Sequence, residues 1–143
     1  MKHPFIFQHG NWIGQGNVVL SVSPEKLIFY TKWEVRKEEA GFIFCLQTVE
    51  LQGETERLEN RLIFYDFEDD RFKIILENEL VGHVEGQGVY NDKEIAWEYH
   101  SEQHFEGLEV YKLQENGEYL FHAEYISPEL FRSTIDGKIW VRN

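Results

Sequence analysis

Four side chains near the middle of the sequence are of the kinds that bind metal ions or transfer protons. His83 and Glu85 lie in the segment LVGHVEGQGVY, and Glu98 and His100 lie in the next segment, KEIAWEYHS. If Asn91-Asp92 is the turn between two antiparallel strands, the four lie together, because neighbours across a strand pair stand only about 5 Å apart. The same register puts them on the polar face of the hairpin, where water solvates them. We therefore predict no metal site.

The usual signatures of covalent catalysis and of phosphate binding are missing. Cys45 lies in FIFCLQ without a basic neighbour in sequence, and no serine lies in a Gly-x-Ser-x-Gly turn. The glycines of GHVEGQG belong to a segment that we predict to be a strand, and no helix follows it. We predict no catalytic residue, although an enzyme whose site lies inside the fold stays open as a third class of function.

Charge and composition narrow the classes of partner. The 143 residues carry 14 Lys and Arg against 26 Asp and Glu, a net charge of −12, which repels nucleic acid and anionic membranes. One cysteine forms no internal disulfide, the first residues have no signal-like apolar stretch, and no apolar run is long enough to span a bilayer. We expect a cytoplasmic protein of one domain, residues 1–143, without a membrane span. The sequence indicates no particular cofactor.

Segments of alternating apolar and polar residues recur along the chain at intervals of about 8–14 residues, separated by turn residues. About ten such segments can be counted, and none has a convincing apolar stripe at helical spacing. Aromatic residues, which favour strands, make up 15% of the chain. Closing the meander into a barrel would remove its edges. We therefore predict an all-β fold, a single antiparallel up-and-down β-barrel of about ten strands.

The positions of the turns predict which side chains face the inside of this barrel. Turns at Asn91-Asp92, Glu102-Gln103 and Asn116-Gly117 give an inner face of Val84, Gly86, Gly88, Ile95, Trp97, Tyr99, Leu108, Val110, Phe121, Ala123 and Tyr125. They place Gly86 opposite Trp97, and Glu109 and Tyr111 outside. A turn at Asp69-Asp70 adds Ile63, Tyr65, Phe67, Phe72, Ile74 and Leu76, with Asp66 beside Lys73 outside. In the earlier hairpin the alternative face carries Lys32, Glu34, Arg36 and Gln47, so Cys45 faces outwards or into a neighbouring element. The inner face there is Phe29, Thr31, Trp33, Val35, Phe42, Phe44, Leu46 and Thr48.

The first predicted strand begins with Gly10-Asn11-Trp12. This G-x-W at the start of an up-and-down meander resembles the signature of the calycin superfamily, which holds the lipocalins, the fatty-acid-binding proteins and the nitrobindin-like barrels. About ten strands without a helical lid most resemble the nitrobindin-like branch. The resemblance implies that Trp12 packs across the closed end of the barrel, often against an arginine of the last strand, here Arg132 or Arg142. The late histidine of haem-binding members has no equivalent after His122.

Two functions fit this predicted interior. In the first, a small apolar or aromatic ligand binds in the lumen, which would have aromatic walls and a few polar groups. Its predicted contacts are Thr31, Trp33, Thr48, Tyr65, Trp97, Tyr99, Tyr125 and Arg132, while Gly10 and Trp12 close the barrel. Arg132 alternatively stacks on Trp12.

In the second function the rings fill the interior, and the protein is a non-catalytic interaction or structural protein that acts through its acidic outer surface. A cavity of about 300 Å³ or more between Trp33, Trp97 and Tyr125 would distinguish the two. Ile28, Phe64 and Ile75 are predicted on the outer face, where they would form a homodimer surface or pack beneath the N-terminal segment.

Overall fold

The computed structural model describes residues 4–23, 25–38, 40–101, 105–127 and 132–142. These residues form one short turn, α1 (Pro4–Phe7), and the strands β1 (Gly10–Leu20), β2 (Lys26–Lys37), β3 (Ile43–Leu51), β4 (Leu58–Glu68), β5 (Arg71–Asn78), β6 (Gly82–Tyr90), β7 (Glu94–His100), β8 (Glu106–Leu113), β9 (Tyr119–Ile126) and β10 (Arg132–Val141). Each strand pairs antiparallel with the next, and β1 also pairs with β10, so the sheet closes into a barrel. The prediction of an all-β barrel of about ten strands is confirmed. No helix among the described residues is long and apolar enough to cross a membrane.

The two ends of the barrel differ. At the end where β1 begins, which we call the floor, Phe5, Ile6 and Phe7 of α1 are buried. The Phe7 ring packs against Phe67 and Tyr90, with ring centroids 5.6 and 4.9 Å apart. The N-terminal turn therefore closes the floor with apolar side chains. We call the opposite end, where β1 ends and β2 begins, the upper end.

The seam between the first and last strands is tight. Gly16 of β1 lies opposite Gly137 of β10. A Cβ atom on Gly16 would run into the carbonyl oxygen of Asp136 and the backbone of Gly137. Glycine is needed here because the two backbones approach too closely to leave room for a side chain.

The predicted inner face of β3 is wrong by one residue. Val35 pairs with Cys45, and the inner face carries Ile43, Cys45 and Gln47. Phe42, Phe44 and Leu46 are exposed, and Thr48 shares their outer face. The cause is the hairpin: the Glu38 N–H donates to the Phe42 carbonyl across a loop in which Gly41 has a positive φ. We had chosen the opposite face of β3 because the observed one carries the polar Gln47, and the length of this loop sets the face instead.

A β-bulge shifts the predicted face of β4. Phe64 pairs with Ile74, whereas Glu68 pairs with Arg71, so the register changes between Tyr65 and Glu68. Phe64 is consequently buried, and Ile63 and Tyr65 lie outside. Phe72, Ile74 and Leu76 of β5 are inside as predicted. The predicted pairing of Asp66 with Lys73 is present, with 3.2 Å between carboxylate and ammonium.

The turn after this bulge gives a test of the local backbone. Asp69 has a φ of 56°, in the left-handed region. Glycine adopts this region without a Cβ penalty, so Asp69→Gly should raise the free energy of unfolding by about 0.5–1 kcal/mol in urea titrations. The control is Asp70→Gly, because Asp70 has no positive φ and glycine there should only destabilise. Equal effects of the two substitutions would contradict the assignment.

The hairpin of β6 and β7 has the predicted faces in a different register. Gly88 lies opposite Trp97, and Glu85 lies opposite His100, two residues from the predicted pairing that set Gly86 against Trp97. The turn is centred one residue later, because the Asn91 side chain accepts hydrogen bonds from the N–H groups of Lys93 and Glu94. A shift of two residues keeps every side chain on its predicted face.

The predicted face of β8 is reversed. Gly107, Glu109 and Tyr111 face the lumen, and Leu108 and Val110 face outwards. The turn predicted at Glu102-Gln103 lies outside the described residues, but Ser101 donates its N–H to the Phe105 carbonyl.

The following hairpin also has an odd-length loop, in which Gly117 has a positive φ. The loops before and after β8 each reverse the predicted inner face of the next strand. The two errors cancel, so the predicted inner face of β9 is correct. Phe121, Ala123 and Tyr125 lie inside, as predicted.

Candidate functional site

A carboxylate lies inside the barrel. Glu109 of β8 is only 5% exposed, and the other buried polar side chains of the described residues are Thr31, Gln47 and Asn60. On the neighbouring strands Glu109 lies opposite Trp97 and Ala123. The reversed face of β8 therefore brings an acidic group into an apolar lumen.

Tyrosine hydroxyl groups surround this carboxylate. The Tyr111 Oη donates a hydrogen bond of 2.7 Å to Glu109 Oε1. Burial raises the pKa of Glu109, and the hydroxyl groups of Tyr111 and Tyr125 and the nearby polar groups of Trp97 and Tyr99 oppose that rise. Burial, and then the charge of Glu109, raise the pKa values of all three tyrosines. They therefore stay protonated and serve as donors.

The Tyr99 and Tyr125 rings flank Gly107, which pairs with both residues. A Cβ atom on Gly107 would lie 2.8 Å from the Tyr125 ring and 3.0 Å from the Tyr99 ring. Tyr125 is half-buried as a whole residue, whereas its hydroxyl lies inside the protein beside Glu109. The missing side chain at position 107 lets both rings reach the carboxylate.

Three buried polar groups near this cluster have no hydrogen-bond partner of ordinary geometry. They are the indole nitrogens of Trp33 and Trp97 and the hydroxyl of Tyr99. Trp97 and Tyr99 influence the charge of Glu109 from nearby without completing such a bond. Buried donors in native proteins nearly always have a partner, which is often ordered water or a ligand. The cluster around Glu109 therefore has unused hydrogen-bonding capacity.

The opposite wall carries a chain of hydrogen bonds that we call the amide ladder, formed by Thr31, Gln47, Asn60 and Asn78. Gln47 Nε2 donates to Thr31 Oγ1 at 3.1 Å, Asn60 Nδ2 donates to Gln47 Oε1 at 2.9 Å, and Asn78 Nδ2 donates to Asn60 Oδ1 at 2.9 Å. Gln47 stands on β3, which is five strands from β8 in either direction around the ring of ten. The ladder therefore lies across the lumen from Glu109.

Aromatic rings fill the half of the lumen nearest the floor. The Phe5 ring lies 5.4 Å from the Trp12 ring and 5.2 Å from the Trp33 ring, measured between centroids. Trp33 and Trp97 are 6.4 Å apart, and Trp97 stacks on Tyr111 at 5.0 Å. These contacts leave no room for a cavity between Trp33 and Trp97, so the space that we looked for there is filled.

Two cavities that the structure shows lie elsewhere. One of about 380 Å³ lies on the outer face of β2 to β4, lined in part by Phe44, Leu46 and Ile63. Another of about 430 Å³ lies beside the floor, next to Phe42 and Tyr65. Neither opens between the walls of the lumen.

The upper end is bordered by apolar side chains that are half-buried. We call this group the upper collar, and its members are Leu20, Leu27, Val49, Leu51, Val81, Phe105 and Tyr125. The Phe105 ring stacks on the Tyr125 ring at 6.1 Å. A route from solvent to the cluster around Glu109 therefore passes apolar groups.

The structure brings together only part of the predicted ligand-binding set. Thr31, Trp33, Trp97 and Tyr99 are buried on the inner face, and Tyr125 lies at the upper end. Thr48 and Tyr65 are on the outer face, where Tyr65 stacks on Phe42 at 6.1 Å. These two predictions are therefore wrong.

The arginines of β10 and its end do not reach Trp12. Arg132 and Arg142 are exposed, and the Trp12 ring packs instead against Phe5 and Tyr119. Gly10 is half-buried and has open space where a Cβ atom would be. Trp12 itself is 3% exposed, so it is buried at the floor without an arginine partner.

The polar hairpin residues with which the sequence analysis began lie on the outer face. His83 and His100 are exposed, and His83 Nδ1 is 3.3 Å from Glu77 Oε1. Glu98 accepts a hydrogen bond from Gln87. The polar clusters that the described residues shield from solvent are the one around Glu109 and the amide ladder.

Comparison with known proteins identifies a similar fold and no family. No family model and no curated protein sequence matches the chain. Among solved structures, the S-type phycobiliprotein lyase CPES from Guillardia theta aligns over 95% of this chain and 89% of its own, with a TM-score of 0.73 and 8% identity. The chain shares its barrel fold. A protein of unknown function from the DUF3598 family of Nostoc punctiforme aligns over 94% of this chain, with a TM-score of 0.61 and 12% identity. This chain spans about half the length of that protein, 47%.

Proposed function

We propose that this protein binds a small, largely apolar or aromatic molecule in the upper half of its lumen, between Glu109 and the upper collar. The observation that carries the proposal is the set of buried polar groups without partners, Trp33 Nε1, Trp97 Nε1 and Tyr99 Oη. Small-molecule sites are mostly apolar and contain a few polar groups that fix the orientation of the ligand. The groups around Glu109 and the amide ladder would be those polar contacts, one set on each wall.

The likeness to other barrels supports this proposal at the level of the fold. The Guillardia theta protein is a phycobiliprotein lyase with a similar barrel. Together with Gly10-Asn11-Trp12, the likeness leads us to assign the chain to the calycin superfamily. Because rings fill the half of the lumen nearest the floor, we propose the upper half, which the apolar upper collar borders, as the binding site.

A neutral fluorescent dye, N-phenylnaphthylamine, tests this function. We expect one dye per barrel, with energy transfer from tryptophan, because Trp97 lies beside the site. Ala123→Leu adds bulk opposite Glu109, and we expect it to weaken dye binding at least about tenfold, a change of about 1.4 kcal/mol. Ala96→Leu, on the outer face of β7, is the matched control and should leave the affinity unchanged.

Thermal unfolding of both variants checks that the barrel stays folded, since added bulk in a packed core costs about 1–3 kcal/mol. If the dye does not bind, or if the two variants bind it equally, the proposal fails. That result would favour the alternative, a filled barrel that acts through its outer surface.

Two further expectations stay predictions. The cytoplasmic location rests on the sequence alone. The prediction of a homodimer rested on an exposed apolar surface of Ile28, Phe64 and Ile75. Phe64 is buried and the two isoleucines are half-buried, so this surface is smaller than predicted.

A further inference from the structure

We infer that the ligand of the lumen is a cation, with a positively charged nitrogen group that pairs with the carboxylate of Glu109. This inference rests on the proposed function and adds the chemical class of the ligand. It follows from the position of Glu109, from the other groups that face the lumen, and from the unpaired polar atoms beside it.

Among the buried side chains of the described residues, Glu109 is the one that can carry a charge. All lysine and arginine side chains in those residues are exposed, so none of them lies beside the carboxylate to balance its charge. Hydroxyl donors alone do not neutralise a charge, and a carboxylate buried without a cation tends to take up a proton, in line with the raised pKa of Glu109. A cation bound in the lumen would supply the missing positive charge.

The other titratable groups that face Glu109 do not supply that charge. They are the phenols of Tyr99, Tyr111 and Tyr125. The thiol of Cys45, on the opposite wall, acts on Tyr99. Burial raises the pKa of Cys45, so this thiol stays neutral. An anionic ligand would therefore meet a negative carboxylate without any positive group to offset the repulsion.

The hydrogen-bond geometry leaves room for a donor from the ligand. A carboxylate has about four acceptor positions, and Tyr111 uses one of them at Oε1. The Tyr125 hydroxyl lies close enough to lower the pKa of Glu109. The Tyr99 hydroxyl, which lacks a partner, offers a further acceptor beside the carboxylate. A protonated amine or ring nitrogen would bind between these oxygens as a donor.

Three flat dyes of one ring system test the inference at neutral pH: the cation aminoacridinium, neutral acridine and the anion acridine carboxylate. We expect the cation to bind at least about tenfold more tightly than acridine, and the anion to bind most weakly. Glu109→Gln keeps the shape of the side chain and removes the charge, so the ratio of the cation's affinity to that of acridine should fall at least about tenfold.

The control for the negative charge of the whole protein is Glu98→Gln. Glu98 lies on the outer face of β7, and its substitution changes the net charge by the same amount. Nonspecific attraction of the cation would fall equally in both variants, whereas pairing in the lumen would be lost only in Glu109→Gln. Ala123→Leu should also weaken binding of the cation, which locates the dye in the lumen.

The outcomes separate the two proposals. Suppose that Ala123→Leu weakens acridine binding, but the protein does not prefer the cation, or still prefers it in Glu109→Gln. The inference is then wrong and the proposed function stands. If none of the three dyes binds in that manner, both are wrong.

Discussion

Replacing Trp12 with alanine should lower the free energy of unfolding by about 3–5 kcal/mol, the range for truncating a large buried aromatic side chain. Trp12 is 3% exposed and touches two other buried rings, Phe5 at 5.4 Å and Tyr119 at 5.5 Å. The cavity left behind would lie between α1 and the barrel, where neither side can collapse far. Urea unfolding followed by circular dichroism measures the change.

Trp140→Ala is the matched control, because Trp140 stands near the same end of the barrel on the outer face. Its contact with Lys138 places the ammonium 5.8 Å from the ring centroid. Such an exposed cation–π contact contributes about 0.5–1 kcal/mol. Losses of equal size in the two variants would show that Trp12 is not a buried support of the floor.

The role of Trp12 could be predicted from sequence because it depends on features that are local in the chain. The glycines beside it and its place at the start of the first strand indicate a residue at the end of a barrel. Its partner could not be predicted. Phe5 lies in a segment with no regular pattern, and its N–H donates to the hydroxyl of Tyr119, far away in sequence. The predicted arginine is absent because an aromatic ring occupies that place.

Loop length explains why half of the candidate site was missed. Periodicity indicates a strand, but the faces of consecutive strands are related by the number of residues in the loop between them. Gly41 and Gly117 have positive φ values in loops of odd length; we had assumed a shorter turn at Gly117 and had chosen the face at Gly41 from side-chain polarity. An Asn-Gly pair fits a two-residue turn, yet Asn116-Gly117 belongs to a longer loop closed by Gln114 and Glu118.

The segment EGLEVYKL shows why no local pattern corrects this error. One face of β8 carries Leu108 and Val110, and the other carries Glu109 and Tyr111, so apolarity favours the first face as the inner one. The hydroxyl groups of Tyr111 on β8 and Tyr125 on β9, with the polar groups of β7 nearby, offset part of the cost of burying Glu109. This compensation comes from three different strands, and it becomes visible only when the barrel is assembled.

An acidic group that is kept in an apolar lumen without a basic partner should reduce stability, and Glu109→Gln measures by how much. We expect the variant to unfold with a free energy about 1–3 kcal/mol higher at neutral pH, because each unit by which burial raises a carboxyl pKa costs about 1.4 kcal/mol above that pKa. The glutamine oxygen can still accept the hydrogen bond from Tyr111. Urea titration of both proteins gives the difference.

The pH dependence of that difference identifies its cause. Burial raises the pKa of Glu109 above its ordinary value of 4.5, so the folded protein binds the proton more tightly than the unfolded chain. The favourable contribution of Glu109 is therefore complete below the unfolded pKa and is lost as the pH rises through the folded pKa. The advantage of Glu109→Gln should shrink as the pH falls towards about 5.

The other carboxylates titrate in both proteins, and their contribution cancels when the two curves are subtracted. Glu98→Gln, on the outer face, is the control for the loss of one negative charge from the protein. An advantage of Glu109→Gln that stays constant from neutral to acidic pH would mean that shape, and not charge, causes it. If the advantage falls with pH while the preference for the cationic dye is lost, stability and ligand selection oppose each other at this one carboxylate. Such opposition is typical of residues retained for binding, because selection for function tolerates a local loss of stability.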